Sequence, residues 1–427
     1  MITTPPQSLR EGTFRSSLLG ISVVIALSTA VFAALHWRGI PLSPDGWAYW
    51  QAAVSLANGS GYRDFSGAAL TAWPPLYSFY LSVWVRLLGA TGLALVVANG
   101  VLIVGQSVLW FYIVCHIWHV ESRERRSQVT LAVALYISIY VPLTLQAAHA
   151  ANLGFLSVAL MLLATWRVSQ SSSRSRVWQW SLLAAAGATL ALLAHNVNVA
   201  LVIGCAAALL LIRHRSRSDL VAAASLVFIP VTIWLTVRWQ LSQLGSHAVG
   251  IGIAAFSPLQ YLHQMLLVVG NLIVPNPFGA AVVMGIALFV VCALLVWSPE
   301  HAAQHRDSRR FIAGFVLFGC IMIWVLFNVT LVTDPIGARF VGWVPILVVP
   351  AIMIYAARMN LTVFLVVSAL VLAPNLHRIV TFTRIHADLR PTNKIGVLFP
   401  VGALISPDFI SGTPVQTDQG LLIAPPR

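Results

Sequence analysis

The sequence predicts an all-α integral membrane protein of about eleven spanning helices, with further helices lying against the membrane in its first outer loop. Three observations carry this reading. Hydrophobic residues fill 59% of the 427 positions and charged residues only 9%, at a mean hydropathy of +0.85. A soluble domain is about a quarter charged, so this chain lacks the polar surface that a water-facing exterior needs. The apolar residues also run in blocks long enough to cross a bilayer. Finally, arginines cluster in the short breaks between blocks, the pattern of loops retained on the cytoplasmic side. The net charge of +13 therefore speaks of membrane orientation. It makes the lipid bilayer the expected partner and nucleic acid an unexpected one.

Each span follows from the same rule. Arg10 and Arg15 precede the first block, 17–37, and set the N-terminus in the cytoplasm. That block is long enough to span and lacks a small-residue cleavage site, so no cleavable leader is expected. Later basic breaks are Arg123/Arg125/Arg126, Arg167/Arg174/Arg176, Arg213/Arg215/Arg217, Arg306/Arg309/Arg310 and Arg358. Holding them all inside gives further spans near 93–118, 128–146, 153–167, 178–195, 197–212, 219–239, 279–298, 311–331, 340–357 and 360–375. The expected protein is thus multi-pass in the cell's inner (plasma) membrane, with its C-terminus outside. Two apolar stretches remain, 76–88 and 259–274, and both carry several polar residues. Counting 76–88 as a span would put Arg123–Arg126 outside, so both are read as helices at the outer face. The organisation is then a transmembrane module over 1–375, with 38–92 as its long outer loop, and a short extracytoplasmic tail over 376–427. The four cysteines, Cys115, Cys205, Cys292 and Cys320, all fall inside apolar blocks. Neither a disulfide framework nor a thiolate metal site is indicated.

The outer loop 38–92 holds the densest information. Ser43 is a good N-cap and Pro44 suits the first helical position. A helix from Pro44 to about Ala57 would set Trp47, Trp50 and Val54 on one stripe. Trp and Tyr favour membrane interfaces, so this reads as a helix resting on the bilayer, with Asp45 in its first turn. A carboxylate there complements the helix dipole. The same position, just beyond the first span, is also where a general base would meet a lipid-borne substrate.

Asp45, Tyr49, Ala52, Leu56, Gly59, Gly61 and Tyr62 form the pattern D-x3-Y-x2-A-x3-L-x2-G-x-G-Y, followed by Trp73-Pro74-Pro75-Leu76-Tyr77. This resembles the first outer loop of GT-C superfamily glycosyltransferases, in the branch related to protein O-mannosyltransferases and the lipid A aminoarabinose transferase. Asp334-Pro-Ile-Gly-Ala-Arg339-Phe-Val-Gly-Trp-Val-Pro345, with Pro350 beyond, is similar to an outer loop and helix of that branch. The segment from Pro400 through Gly412 to Pro425 resembles the start of its extracytoplasmic portion.

The resemblance implies an inverting enzyme that moves a sugar from a polyprenyl-phosphate carrier to an unspecified glycan, lipid or protein acceptor on the outer face. It implies Asp45 as the catalytic base and Arg339 as a contact to the carrier phosphate. Those residue types suit the roles: a carboxylate can take the acceptor's proton, and a guanidinium offers two-point contact to phosphate oxygens. Arg339 has a local alternative in Asp334, five residues earlier. Tyr49, Trp50 and Tyr62, with Trp47, would shape the site.

The chain departs from the pattern in three places. His195 stands where relatives often carry Lys or Arg, and would replace that cation if protonated; a structural helix-end His is the other reading. Trp73 stands where some relatives have Glu or Lys, which removes a possible polar contact to the donor. The sequence reaches Arg427 where relatives often continue into a folded outer domain, so acceptor choice is expected to differ or to be supplied by a partner. Further candidates are Asp64, beside Arg63, for the acceptor or as a solvated loop residue, and Arg238, for phosphate or snorkelling to the interface. His301 and His305 lie in a cytoplasmic basic loop. No Asp-x-Asp or His/Asp cluster lies outside, so chemistry without a metal or other cofactor is expected. The rival classes are a transporter or flippase of lipid-linked sugars and a non-catalytic assembly partner. Against transport, no acidic residue lies in the middle of an apolar block, where transporters keep ionisable groups.

Overall fold

The computed structural model describes residues 7–37, 39–42, 44–64, 67–71, 73–118, 126–145, 149–171, 173–212, 217–243, 257–273, 280–297, 303–329, 338–387, 397–400, 414–417 and 420–423. The chain opens with α1 (Gln7–His36), β1 (Gly39–Leu42), α2 (Pro44–Ala57), α3 (Leu76–Leu88) and α4 (Gly92–Ile117). Next come α5 (Arg126–Thr144), α6 (Ala150–Gln170), α7 (Arg174–Ala194), α8 (Asn198–Ile212) and α9 (Arg217–Ser242). Then follow α10 (Pro258–Ile273), α11 (Ala280–Trp297), α12 (Ala303–Val329), α13 (Ala338–Val341), α14 (Trp343–Met359) and α15 (Leu361–Ala387). The short strands β2 (Val397–Pro400), β3 (Pro414–Thr417) and β4 (Gly420–Ile423) complete the described chain.

This is an all-α multi-pass membrane protein. Among the described residues, α1, α4, α5, α6, α7, α9, α12 and α15 are each long and apolar enough to cross a membrane. The shorter apolar helices are α3, α8, α11 and α14, the last three at positions expected to span. Large apolar side chains point outward from the bundle: Phe228 is 71% exposed, Leu294 65% and Leu370 63%. A water-facing protein does not present so wide an apolar surface, whereas acyl chains are its natural neighbour. The stretches 76–88 and 259–274 are helices, as expected. One face of α3 (Tyr77, Ser78, Leu81, Ser82, Val85) is buried, and the helix packs on α2 and α4; α10 packs on α11 and α12.

The structure corrects two details of the reading. The last span was expected to end at 375, yet α15 continues to Ala387. Asn375 does not stop it because its amide bonds Val371 O at 2.8 Å, inside the helix, and Arg378 donates to Asn271 O at 3.1 Å. The stripe of α2 was expected on the bilayer, but Trp50 and Val54 are 0% and 2% exposed, packed into the bundle core. Burying an indole against protein yields as much apolar burial as resting it on lipid, and adds close packing.

Close approach of backbones holds the bundle together. A Cβ on Gly204 of α8 would lie 2.7 Å from Gly319 N and 2.8 Å from its Cα, on α12. Small residues at such crossings give membrane helices the contact that lipid competition otherwise denies them. Gly204→Val is expected to destabilise the protein by about 1–3 kcal/mol through overpacking. Thermal unfolding in detergent, against Gly105→Ala, checks this. A Cβ at Gly105 meets nothing within 4 Å, so that variant should unfold like wild type or slightly above it.

The tail returns to the segment between α1 and α2. β1 pairs antiparallel with β2, Gly39 opposite Pro400 and Leu42 opposite Val397. β3 and β4 pair antiparallel with each other.

Candidate active site

α2 starts at Pro44, so Asp45 sits in its first turn, where the helix dipole favours a carboxylate. The helix ends in a Schellman motif: Ser60 N bonds Ser55 O at 2.9 Å and Gly59 N bonds Leu56 O at 3.2 Å. That motif needs a left-handed residue at Gly59, whose φ is +79°. The chain turns back through Gly61, at φ +85°, which explains the G-x-G spacing physically. It then delivers Tyr62, whose hydroxyl donates to Trp73 O at 3.0 Å. Trp73 is thereby fixed so that its indole N–H donates to Asp45 Oδ1 at 3.1 Å.

Two more segments converge on the other carboxylate oxygen. Arg339, in α13, donates from Nη1 to Asp45 Oδ2 at 3.2 Å, across 294 positions of sequence. Its guanidinium also lies 4.8 Å from the centroid of the Phe340 ring. His149 Nε2 lies 3.3 Å from the same Oδ2. His149 caps the N-terminus of α6, its Nδ1 accepting Ala151 N–H at 3.0 Å. With Nδ1 occupied as acceptor, the hydrogen-bond network puts the proton on Nε2, which donates to Asp45. His149 Nε2 and Arg339 Nη1 lie 3.5 Å apart because they share one acceptor.

A buried polar network fixes the walls. Tyr77 OH and Asn152 Nδ2 both donate to Asn99 Oδ1 at 2.8 Å, and Gln106 Nε2 donates to Asn152 O at 2.6 Å. Ser78 Oγ donates to Tyr49 O at 2.9 Å. These bonds tie α2, α3, α4 and α6 at the end of the bundle where His149 and Asp45 meet. On the far side an aromatic chain runs Tyr261–Phe327–Phe340–His195–His149, with successive centroids 5.0–5.8 Å apart.

The surroundings set the charge states. The hydrogen bond from His149 is the largest influence holding the Asp45 carboxyl well below the usual carboxylate range. Burial opposes it; the Trp73 N–H and the Arg339 guanidinium reinforce it. His195 is pulled well below its ordinary value, by burial first and also by the Arg339 guanidinium. It caps the C-terminus of α7 and packs between His149 and Phe340, which fits the structural helix-end reading; the cation that reaches Asp45 is Arg339.

Because Asp45's folded pKa lies below its unfolded value near 4, its ionisation stabilises the fold above that value. The contribution is lost only as pH falls through the depressed folded value. His149→Ala removes the largest lowering influence. The Asp45 carboxyl band in difference infrared spectra is expected to appear at a distinctly higher pH in that variant than in wild type, with Asp45→Asn identifying the band.

The remaining sequence candidates take varied places. Tyr49 is buried beside the cluster, its ring 6.4 Å from that of His149. Tyr62 acts through Trp73, and Trp50 lies in the core. Trp73, read as a lost contact to the donor, donates to Asp45. Asp64 accepts Ala68 N–H at 2.9 Å, and Arg63 donates to Gly67 O at 3.0 Å, so both brace a turn. Arg238 lies over the Trp234 ring at 5.7 Å, and that indole donates to Asn196, beside His195. Asp334 and His301 lie outside the described residues, and His305 falls in the first turn of α12. His149 was missed. The signal was available: it is the one titratable residue in the short break 147–152, on the side the charge count places outside. Among the described residues no three His, Cys, Asp or Glu side chains gather closely enough to hold a metal ion.

No family model matches the chain, and no curated protein does. Among solved structures it is similar to ArnT from Cupriavidus metallidurans bound to undecaprenyl phosphate. The match has 13% identity and a TM-score of 0.45, over 86% of this chain and 75% of that one.

Proposed function

We propose that this chain is a membrane glycosyltransferase that moves a sugar from a polyprenyl-phosphate carrier to an acceptor hydroxyl at the extracytoplasmic face, with inversion at the anomeric carbon. The observation that carries the reading is the meeting of Asp45, His149 and Arg339. Three distant segments bring an anionic acceptor of protons and a cationic holder of phosphate within 3.3 Å of one another. All three lie at bundle ends that the arginine distribution assigns to the outside, within reach of a lipid-anchored donor.

The chemistry follows from the parts. The acceptor oxygen attacks the anomeric carbon and forms the new C–O bond, while its proton passes to Asp45. The bond from that carbon to the carrier phosphate breaks, and the electron pair leaves with the phosphate. Arg339 meets the charge that grows there. In the resting arrangement Asp45 is a weak base, because Trp73, His149 and Arg339 all donate to it. A donor phosphate competes for Arg339, takes one of those bonds away and raises the proton affinity of Oδ2. His149 and Trp73 keep the carboxylate oriented meanwhile. Substrate binding thus switches on the base.

Reconstituted protein supplied with a labelled polyprenyl-phosphate sugar should consume the donor and leave the label on an acceptor. Movement of intact donor between leaflets without consumption would make the protein a transporter instead. The placement of Asp45 and Arg339 at helix ends argues against that, since transporters gather ionisable groups near the midplane.

A further inference from the structure

We propose that the end of the bundle opposite this site holds an anionic phospholipid of the inner leaflet. A cavity of about 400 Å³ lies between α4, α11, α12 and α14. Its walls are apolar, with Leu295, Val316 and the Trp118 indole among them, and Arg309 and Arg358 line the same cavity. It is remote from Asp45. Arg339 and Arg358 bracket α14, and their 19 positions at about 1.5 Å each separate them by roughly 28 Å.

The lining specifies the occupant. Ile352 and Tyr355 are 43% and 61% exposed at its edge. In a membrane-spanning bundle such side chains face lipid, so the crevice is filled from the bilayer. An acyl chain fits the apolar walls, and a phosphodiester fits two guanidinium groups, which bind phosphate by paired N–H donors. Basic pockets between spans on the cytoplasmic side are where anionic headgroups find such partners. No acidic side chain lines the cavity among the described residues; Asp307, two residues before Arg309, is exposed and not part of the lining. The surface therefore selects negative charge joined to a long apolar chain, and a phosphatidylglycerol-type lipid carries both.

Direct binding tests this without reference to sugar transfer, so its failure and that of the glycosyltransferase reading are separable. Purified full-length protein would be titrated with labelled phosphatidylglycerol in mixed phosphatidylcholine micelles. Unlabelled phosphatidylglycerol should compete, and phosphatidylcholine should compete far less. Arg358→Gln, a change at an exposed position, should weaken binding about fivefold, and Arg309→Gln/Arg358→Gln roughly thirtyfold, at about 1 kcal/mol per arginine. Thermal unfolding of each variant confirms that it is folded; the single variant suffices if the double is not. Undiminished binding in Arg358→Gln would overturn the proposal. So would competition by inorganic phosphate, or preferential competition by polyprenyl phosphate.

Discussion

Asp45→Asn is expected to cut sugar transfer by about 10²–10⁴-fold, the range a positioned general base contributes, while leaving the protein folded. The substitution is nearly isosteric, and the Asn carbonyl still accepts one of the three donors that converge on residue 45. The side chain is 35% exposed, so water can satisfy what the amide cannot. The anion is what disappears, and with it the capacity to take the acceptor's proton. Donor binding should persist or tighten, because Arg339 no longer divides itself between a carboxylate and the incoming phosphate. Transfer rate, donor affinity and thermal unfolding measured on one preparation check the three parts together. Transfer at the wild-type rate would remove Asp45 from its role.

Arg339→Ala should lower turnover by about 10²–10³-fold, the loss typical when one fixed donor to a developing oxyanion is removed. Arg339→Lys should recover part of this, because an ammonium supplies charge but not the planar fork that grips two oxygens. The two variants also separate leaving-group assistance from simple attraction. If Arg339 only recruits the donor, the loss falls on KM and saturating donor restores the rate. If it stabilises departing phosphate, kcat falls and a donor with a more acidic leaving group narrows the gap. Arg339→Ala also strips a hydrogen bond from Asp45 Oδ2, so the acid limb of any residual activity should move to higher pH.

Much of the fold was legible because hydropathy and charge are summed over long blocks. Each block expected to span corresponds to a helix, and α2 occupies Pro44–Ala57 as its N-terminal Pro and apolar spacing required. What failed were decisions resting on one residue's local surroundings. Asn375 looked like an ending because it is polar, but its amide closes on its own helix. Trp50 looked interfacial because it is a Trp in an outer loop, yet the bundle offered a better-packed place. The site was legible in its ends and not in its middle. Asp45 and Arg339 stood out by motif, while their contact spans 294 positions that no periodicity links. His149 has no local pattern at all; its importance arises only when α6 is set beside α2. The tie from Trp73 to Asp45 was not legible, since an indole N–H matters only once a carboxylate is known to face it.

The pairing of β1 with β2 has a consequence for how the protein comes into being. β1 ends at Leu42, two positions before the helix that carries Asp45, and its partner strand is made more than 350 residues later. At about 5–20 residues per second, the ribosome needs roughly 15–60 s to pass from Asp45 to Arg339 alone. Throughout that interval Asp45 has already been made, without its arginine and without the β1–β2 ladder. The carboxylate is born early and armed last. On the proposed function a half-made chain therefore cannot transfer a sugar, and the clasp between β1 and β2 closes only when nearly the whole bundle has been made.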